Sequence, residues 1–351
     1  MPQIKQSRPS DFETLGARWR ALEAAADGSF FQSWTWMGCE AAARFPDPVL
    51  IEATQDGHTV ALALCNRRHT WPGATLWLAE SGIEQWDSTF IEHSGPLVAR
   101  DAGPAVLPAL LRAAIAPFGR RLVLSGVPDQ VAAVAFSLPG TLEREASRPA
   151  PSVDFAPLRA NGADHAASLS ANTRQQLRRS IRRYQARGPI KLTRAADAAE
   201  ALLYLDRLAA LHQATWTRRG KPGAFAVPEF HQFHRSLIAR AHPRGEAELL
   251  HITAGGETIG YLYNFIWRGW VLAYQSGLAY PVHDATLKPG LTCHHLAIAD
   301  HFVHGMAGYD FLAGDARYKT SLANATRPLF WLELGPPWRL AAVSAWLRRR
   351  K

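Results

Sequence analysis

The pentapeptide KPGLT, which begins at Lys288, contains the residue types of a phosphate-binding turn. Pro289 stiffens the backbone, Gly290 lets an anion approach it closely, and Lys288 supplies a positive charge. A helix beginning after this turn would add free N–H groups and the positive end of its dipole. The predicted phosphate ligands are Lys288, Gly290, Leu291 and Thr292. The alternative is an ordinary Pro-Gly loop before a helix.

A second group of reactive side chains stands in the segment GDARYK, which begins at Gly314. Group transfer to an amine or hydroxyl needs a base for the attacking group and a donor for the negative charge that develops. Asp315 is a candidate for the base or for binding the acceptor. Tyr318 and Lys319 are candidates for stabilising an oxyanion or a leaving thiolate. Alternatively, Asp315 caps the turn after Gly314 and Lys319 is a solvated charge.

Six arginines and no acidic residue fall between Ala171 and Arg187, and they account for about two thirds of the net charge of +9. Arg174 and Arg178, at positions i and i+4 of a helix, could together bind a phosphate group of a ligand. The same face could bind tRNA through charge, with an affinity that falls as salt rises. A solvated helix face is the third interpretation, and the sequence leaves all of them open.

Trp216 and Arg219 lie at positions i and i+3 of a predicted helix, so an indole and a guanidinium would share one face. They could wall a substrate pocket and hold an anion, or they could be a core tryptophan and a surface arginine. Histidines are frequent after the KPGLT turn: His294, His295, His301 and His304. Because the segment lacks an HExxH pattern and has few carboxylates, we predict no metal site.

The elements that would position these groups follow one another in the second half of the chain. Two amphipathic helices come first, then three strands separated by Gly-containing turns, a helix after KPGLT and a short strand. The predicted helices span 171–187, 199–219 and 291–304, and the predicted strands span 246–254, 258–267, 270–279 and 309–312.

The first half repeats this order without a residue-level repeat, with strands at 49–54, 58–66, 74–79 and 121–125 and a helix near 105–117. We therefore predict an α/β (α+β) fold of two tandem halves, each a mixed, largely antiparallel sheet flanked by helices. The Pro-rich stretch 147–157 would join the halves. The predicted domains are 1–155, 156–335 and a basic C-terminal helix at 336–351.

Composition limits the class of protein. A chain of 351 residues that is 47% hydrophobic can form two folded cores. A polar N-terminus and the lack of a long apolar stretch favour a cytoplasmic location. Cys39, Cys65 and Cys293 are widely spaced, which predicts core positions rather than disulfides or a metal site. The basic C-terminal helix could suit its own dipole or contact an anionic membrane peripherally.

Four segments of the second half resemble the GNAT-superfamily acyltransferases of the CelD/BcsL type, relatives of the FemAB aminoacyltransferases. They cover about half of the chain and read SANTRQQLRRSIRRY, LHQATWTRRGKPGAF, LKPGL and GYDFLAGDARYKTSLAN. The phosphate turn departs from the usual GNAT pattern, Arg/Gln-x-x-Gly-x-Gly/Ala, because only one glycine stands there.

The resemblance implies two GNAT-like halves, the first one degenerate. It implies that the second half moves an acyl group from acetyl-CoA or another acyl-CoA to an amine or hydroxyl, for instance of a sugar or cell-envelope precursor. By the same resemblance, Tyr274 and Gln275 on the third strand would face the acyl group. The FemAB relatives imply a second hypothesis, aminoacyl transfer from tRNA. A third is a non-catalytic binding protein, since the first half carries no comparable motif.

Overall fold

The computed structural model describes residues 2–71, 73–84, 86–87, 91–281 and 284–339, which form two compact units. Unit 1 comprises the chain up to Arg148 and the segment from Pro328 onward, and unit 2 comprises Pro149–Arg327. The sequence placed residues 328–335 in the second domain instead. They return to unit 1 because the strand that they form pairs with a strand of that unit.

Unit 1 is built around one sheet. Its described elements are β1 Gln3–Ser7, α1 Phe12–Ala25, α2 Trp34–Arg44, β2 Pro48–Gln55, β3 His58–Thr70, β4 Gly73–Leu78, β5 Leu97–Val98, α3 Val106–Ile115, β6 Arg121–Pro128, α4 Asp129–Phe136, the start of β7 Thr141–Asp154 and most of β13 Ala325–Leu334. The strand order is β1-β2-β3-β4-β6-β13, with β5 beside β3. Neighbours are antiparallel except β4 and β6, which are parallel and are connected through α3.

Unit 2 repeats this arrangement. Its described elements are the end of β7, α5 Phe155–Ala160, α6 His165–Ser168, α7 Ala171–Gln185, β8 Ile190–Arg194, α8 Ala198–Arg218, α9 Pro228–Ala241, β9 Ala247–Ala254, β10 Glu257–Trp267, β11 Trp270–Leu278, α10 Pro289–Val303, β12 Gly308–Asp310 and α11 Arg317–Leu322. The strand order is β7-β12-β11-β10-β9-β8, antiparallel except for β11 and β12, which are parallel and are connected through α10. The predicted fold class of two mixed, largely antiparallel halves is therefore confirmed.

Helix α7 begins and packs as its sequence predicts. The Ser170 hydroxyl caps it by accepting a hydrogen bond from the Thr173 N–H. Leu177 and Tyr184 are buried in the same apolar core as Cys293 of α10. The apolar stripe thus holds α7 against the unit, and the intervening arginines remain on its outer side.

On the opposite side, α8 packs directly on β11. A Cβ atom at Gly277 would lie 2.3 Å from the Leu208 carbonyl oxygen, so only glycine allows this approach. The His212 ring of α8 adds a contact of 3.3 Å between its Nδ1 and the Ser276 carbonyl oxygen.

The chain passes from unit 1 to unit 2 within the Pro-rich stretch 147–157, which is strand and helix rather than loop. β7 continues to Asp154 and α5 follows at once. Pro149 and Pro151 have no N–H, but their carbonyl oxygens accept hydrogen bonds of 2.9 Å from the N–H groups of Gly314 and Phe311. A strand tolerates proline at positions where no neighbouring acceptor needs the backbone N–H that proline lacks.

The remaining predictions about whole elements have mixed outcomes. Cys39, Cys65 and Cys293 are buried, which confirms the predicted core positions. Of the predicted C-terminal helix at 336–351, the part after Arg339 lies outside the described residues. No helix within the described ranges is both long enough and apolar enough to cross a bilayer.

Candidate functional site

The KPGLT turn leads directly into α10, and Pro289 occupies the first turn of that helix. The Lys288 N–H donates to the Ser180 hydroxyl over 2.9 Å, which fixes the turn against α7. The N–H groups of Gly290 and Leu291 donate to no described residue. These N–H groups and the positive end of the helix dipole therefore remain available to an anion.

Thr292 has a different contact from the one predicted. Its hydroxyl lies 2.8 Å from that of Ser180, and both residues are fully buried. The predicted phosphate ligand is thus engaged inside the protein. The hydroxyl joins α10 to α7 rather than pointing to solvent.

A cleft of about 340 Å³ opens beside this helix start. Arginines of two helices border it, with aromatic and hydroxyl side chains between them. Its lining includes Tyr184, Arg187, Thr215, Arg218, Tyr280 and Leu287. Two guanidinium groups around an apolar floor suit a ligand with phosphates and an organic chain.

Tyr280 connects the cleft with the predicted pair Trp216 and Arg219. The Arg219 guanidinium carbon lies 5.5 Å from the Trp216 ring centroid and 5.8 Å from that of Tyr280. A Cβ atom at Gly290 would lie 3.7 Å from the Tyr280 hydroxyl oxygen. Burial raises the pKa of Tyr280, while Arg219 opposes this shift. The structure therefore brings the predicted tryptophan and arginine close to the start of α10.

Tyr318 lies over a buried histidine of α10. Its ring stacks on His294 with 5.1 Å between centroids and an angle of 17°. The His294 Nδ1 lies 2.9 Å from the Tyr309 hydroxyl, and its Nε2 is buried without a hydrogen-bond partner in the described chain. Burial, with a smaller contribution from Lys319, lowers the pKa of His294 to about 3. The imidazole is therefore neutral at physiological pH.

The three predicted catalytic residues differ in their surroundings. Burial raises the pKa of Tyr318, so its phenol stays protonated and can donate. The Lys319 Nζ donates to the Ala313 carbonyl oxygen over 2.7 Å and to that of Leu312 over 3.3 Å. Asp315 is exposed, and no described residue contacts its carboxylate.

β11 loses its parallel partner after the first third of its length. β12 pairs with it only from Trp270 to Leu272. The register with β10 shifts just beyond, so Tyr274 becomes an extra residue in a β-bulge. Bulges are frequent next to active sites because they redirect side chains and end strand pairing. The edge of β11 that follows faces no other described strand.

The predicted acyl-facing residues lie at this bulge. Tyr274 is buried, with its ring 4.9 Å from those of His234 and Phe265. Gln275 is half-buried and is paired with Tyr263. The bulge thus places both residues where β11 and β12 separate.

The six arginines between Ala171 and Arg187 differ in their partners. Arg183 and Arg187 form ion pairs with Asp284 and Glu257, at 3.0 and 3.2 Å. Arg174 donates to the Ala167 carbonyl oxygen over 3.1 Å. The other three arginines form no ion pair with a described carboxylate: Arg178, Arg179 and Arg182. A groove of about 640 Å³ follows Arg174, Arg178 and Arg182 along the helix.

The histidines after KPGLT have partners within the fold. His301 lies 3.0 Å from Glu248, His295 lies 3.2 Å from His165, and His304 bonds its own helix. Among the described residues, no group of three His, Cys, Asp or Glu side chains could hold a metal ion.

Sequence reasoning missed most of the cleft. Arg187 was included only in the count of arginines, and Tyr184 was predicted only as an apolar position of α7. Arg218 and Tyr280 were not singled out. Arg218 adjoins Arg219 at the end of α8, and Tyr280 follows the last residues of β11. Polar residues just beyond strand and helix ends were the available signal.

Residues 171–320 match the family model described as an acetyltransferase (GNAT) domain. They span α7, the cleft, α10 and Tyr318. Residues 171–320, which contain most of the four resembling segments, are therefore matched as a GNAT domain of the acyltransferase type. The matched domain is a transferase domain.

Solved structures of similar fold extend over nearly the whole chain. FemX is 11% identical with a TM-score of 0.62, and the match covers 97% of this chain and 99% of FemX. The C-terminal domain of a putative lysylphosphatidylglycerol synthetase from Agrobacterium fabrum is 10% identical, with 96% and 95% covered and a TM-score of 0.57. L-PGS from Bacillus licheniformis is 12% identical, with 95% of each chain covered and a TM-score of 0.57. No curated protein matches the sequence.

Proposed function

We propose that unit 2 transfers an acyl group from an acyl-CoA, with acetyl-CoA as the first donor to test, to an amine or hydroxyl of a sugar or cell-envelope precursor. The observation that carries the proposal is the separation of β11 from β12 after Leu272, with the start of α10 and the phenol of Tyr318 nearby. A thioester can bind along the free strand edge there, while its phosphates lie at the helix start.

In this proposal the donor is held by its charges. The free N–H groups of Gly290 and Leu291, the Lys288 ammonium and the guanidinium groups of Arg187 and Arg218 bind the phosphates. Thr292 supports the turn through Ser180 rather than by direct contact. Arg174 and Arg178 remain candidates for a more distant phosphate.

In the chemical step, the acceptor nitrogen or oxygen bonds to the thioester carbon and the carbon–sulfur bond breaks. Asp315 takes the proton of the attacking group, and Tyr318 gives its phenolic proton to the leaving thiolate. The positive charge of Lys319 stabilises the oxyanion from nearby. Tyr274, Gln275, Trp216 and Arg219 bind the substrates around this centre.

The test is calorimetric titration of the full chain with acetyl-CoA and with desulfo-CoA, followed by a thiol-release assay over a panel of amino sugars and nucleotide-linked sugars. We expect binding that weakens in Lys288→Ala and thiol release that Tyr318→Phe abolishes. Absence of binding at millimolar donor would refute the proposal. Donor binding with thiol release no faster than in buffer would favour a non-catalytic binding protein. Equal turnover by wild type and by Asp315→Asn combined with Lys319→Ala would exclude these two residues from the chemistry.

One observation favours a second function, aminoacyl transfer from tRNA. Arg178, Arg179 and Arg182 have no carboxylate partner in the described part of the chain. Arg178 and Arg182 border an open groove, which suits a polyanion. The FemAB relatives imply this donor. The test is filter binding of charged tRNA to wild type and to the double variant Arg178→Gln with Arg182→Gln. If the double variant loses tRNA binding and the wild type does not bind acetyl-CoA, this proposal would replace the first one.

A further inference from the structure

Unit 1 carries a cluster of exposed aromatic side chains that the transfer chemistry does not use. Trp71 is 94% exposed, Phe118 85% and Trp338 48%. The three belong to different turns, at the tip of the β3–β4 hairpin, before β6 and after β13. Exposed aromatic residues that cluster from separate parts of the chain mark an interaction surface more often than scattered ones do.

The structure ties these turns together. A Cβ atom at Gly73 would lie 2.4 Å from the Gly119 carbonyl oxygen, so the two backbones touch. The buried Arg339 donates through Nη1 to the same Gly119 oxygen. The rings of Phe118 and Trp338 lie 5.7 Å apart. The aromatic residues therefore project from one fixed platform, here called the aromatic platform.

The aromatic platform is basic in sequence, while Arg121 forms an ion pair with Glu333 and Asp47 lies 3.7 Å from the His69 Nε2. Its three segments, 68–73, 117–121 and 336–339, contain Arg68, Arg120, Arg121 and Arg339 but no acidic residue. Within the described residues, Arg68 and Arg120 have no carboxylate partner. The sequence continues after Arg339 with twelve residues that include Trp346 and four cations at 348–351, again without an acid.

We propose that the aromatic platform docks on an anionic lipid bilayer. Tryptophan is enriched at the bilayer–water interface, where its ring lies at the depth of the headgroups. Arginines beside it gain from the negative surface potential of anionic lipids. Trp71 protrudes at a hairpin tip, a shape that enters a soft interface more readily than a protein pocket. The anchoring of unit 1 is independent of the chemistry assigned to unit 2.

The experiment is flotation of the full chain with phosphatidylcholine vesicles, with and without phosphatidylglycerol. We expect binding to the anionic vesicles that weakens with salt, and a loss of about tenfold or more in Trp71→Ser, Phe118→Ser and Trp338→Ser combined. The matched control is Leu203→Ser with Val303→Ser, which removes two exposed apolar side chains from unit 2. It should float like wild type, with unchanged circular dichroism in both variants.

Three results would overturn the proposal. The first is wild-type protein that stays with the soluble fraction at low salt. The second is vesicle binding that the triple variant keeps but that Arg348→Gln, Arg349→Gln and Arg350→Gln abolish, since the segment after Arg339 would then bind alone. The third is a dimer in sedimentation velocity that the triple variant makes monomeric, since a second copy would then cover the aromatic platform.

Discussion

The hydroxyl groups of Ser180 and Thr292 lie 2.8 Å apart in the interior of unit 2 and join α7 to the first turn of α10. Ser180 also accepts the Lys288 N–H. One serine on the Arg-rich helix thereby fixes the turn proposed to bind phosphate. Donor binding and the packing of α7 are consequently linked.

Removing the contact between the Ser180 and Thr292 hydroxyls should lower the stability of the fold more than the rate of the reaction. Thr292→Val leaves the Ser180 hydroxyl short of a partner, with an expected loss of about 1–2 kcal/mol in the free energy of unfolding. Urea denaturation measures it, and Thr217→Val on the exposed face of α8 is the control. The double variant Ser180→Ala with Thr292→Val should lose less than the sum of the single changes. Strict additivity would contradict the coupling.

Arg218 provides a direct test of the cleft. Arg218→Ala should raise KM for the acyl donor about tenfold, the effect of losing one charge-assisted contact, and leave kcat nearly unchanged. Arg207→Ala is the matched control because it removes an exposed arginine from the same helix outside the cleft. Donor titration by calorimetry gives the affinities. Equal losses of donor affinity in both variants would mean that the net charge of the protein, and not a contact in the cleft, determines the affinity.

Tyr318→Phe separates chemistry from packing. The phenyl ring can still stack on His294, so thermal stability should change little. Loss of the proton donor should reduce kcat by about 10²-fold or more. Tyr204→Phe, which removes a hydroxyl bonded to Glu200 on α8, is the control. Full turnover by Tyr318→Phe would exclude the phenol as the acid.

Stability should fall as the solution becomes acidic. The pKa of His294 drops from 6.5 to about 3 on folding and that of His295 to about 4, so each binds its proton more readily when unfolded. Their contribution is complete above pH 6.5 and is lost as pH falls, towards 4 for His295 and towards 3 for His294, at up to about 1.4 kcal/mol per pH unit for each group. Urea midpoints from pH 7.5 downward test this. His294→Gln should flatten the profile, whereas His304→Gln, exposed on the same helix, should not.

Gly277→Ala should disturb the packing of α8. Its methyl group would meet the Leu208 backbone at 2.3 Å, with an expected cost of about 1–3 kcal/mol. Gly103→Ala is the control, since the nearest atom to its methyl group lies 3.8 Å away. Thermal unfolding compares them, and equal melting temperatures would show that α8 adjusts freely.

The sequence by itself determined the order of elements in each half. Leu177, Ile181 and Tyr184 recur at helical spacing, and Gly255 and Gly269 mark the hairpins, because such local signals need no distant partner. Pro289 and Gly290 likewise predicted a helix start at the right place.

Only the tertiary structure decided which polar groups are available. The sequence predicts Thr292 as a phosphate ligand. In the structure its hydroxyl is instead bonded to that of Ser180, 112 residues earlier. Arg187, Arg218 and Tyr280 form one cleft through the packing of α7, α8 and the end of β11, and the return of β13 to unit 1 is also a long-range pairing. Residue types and local periodicity specify elements, whereas contacts between distant segments depend on how those elements pack, which no local pattern encodes.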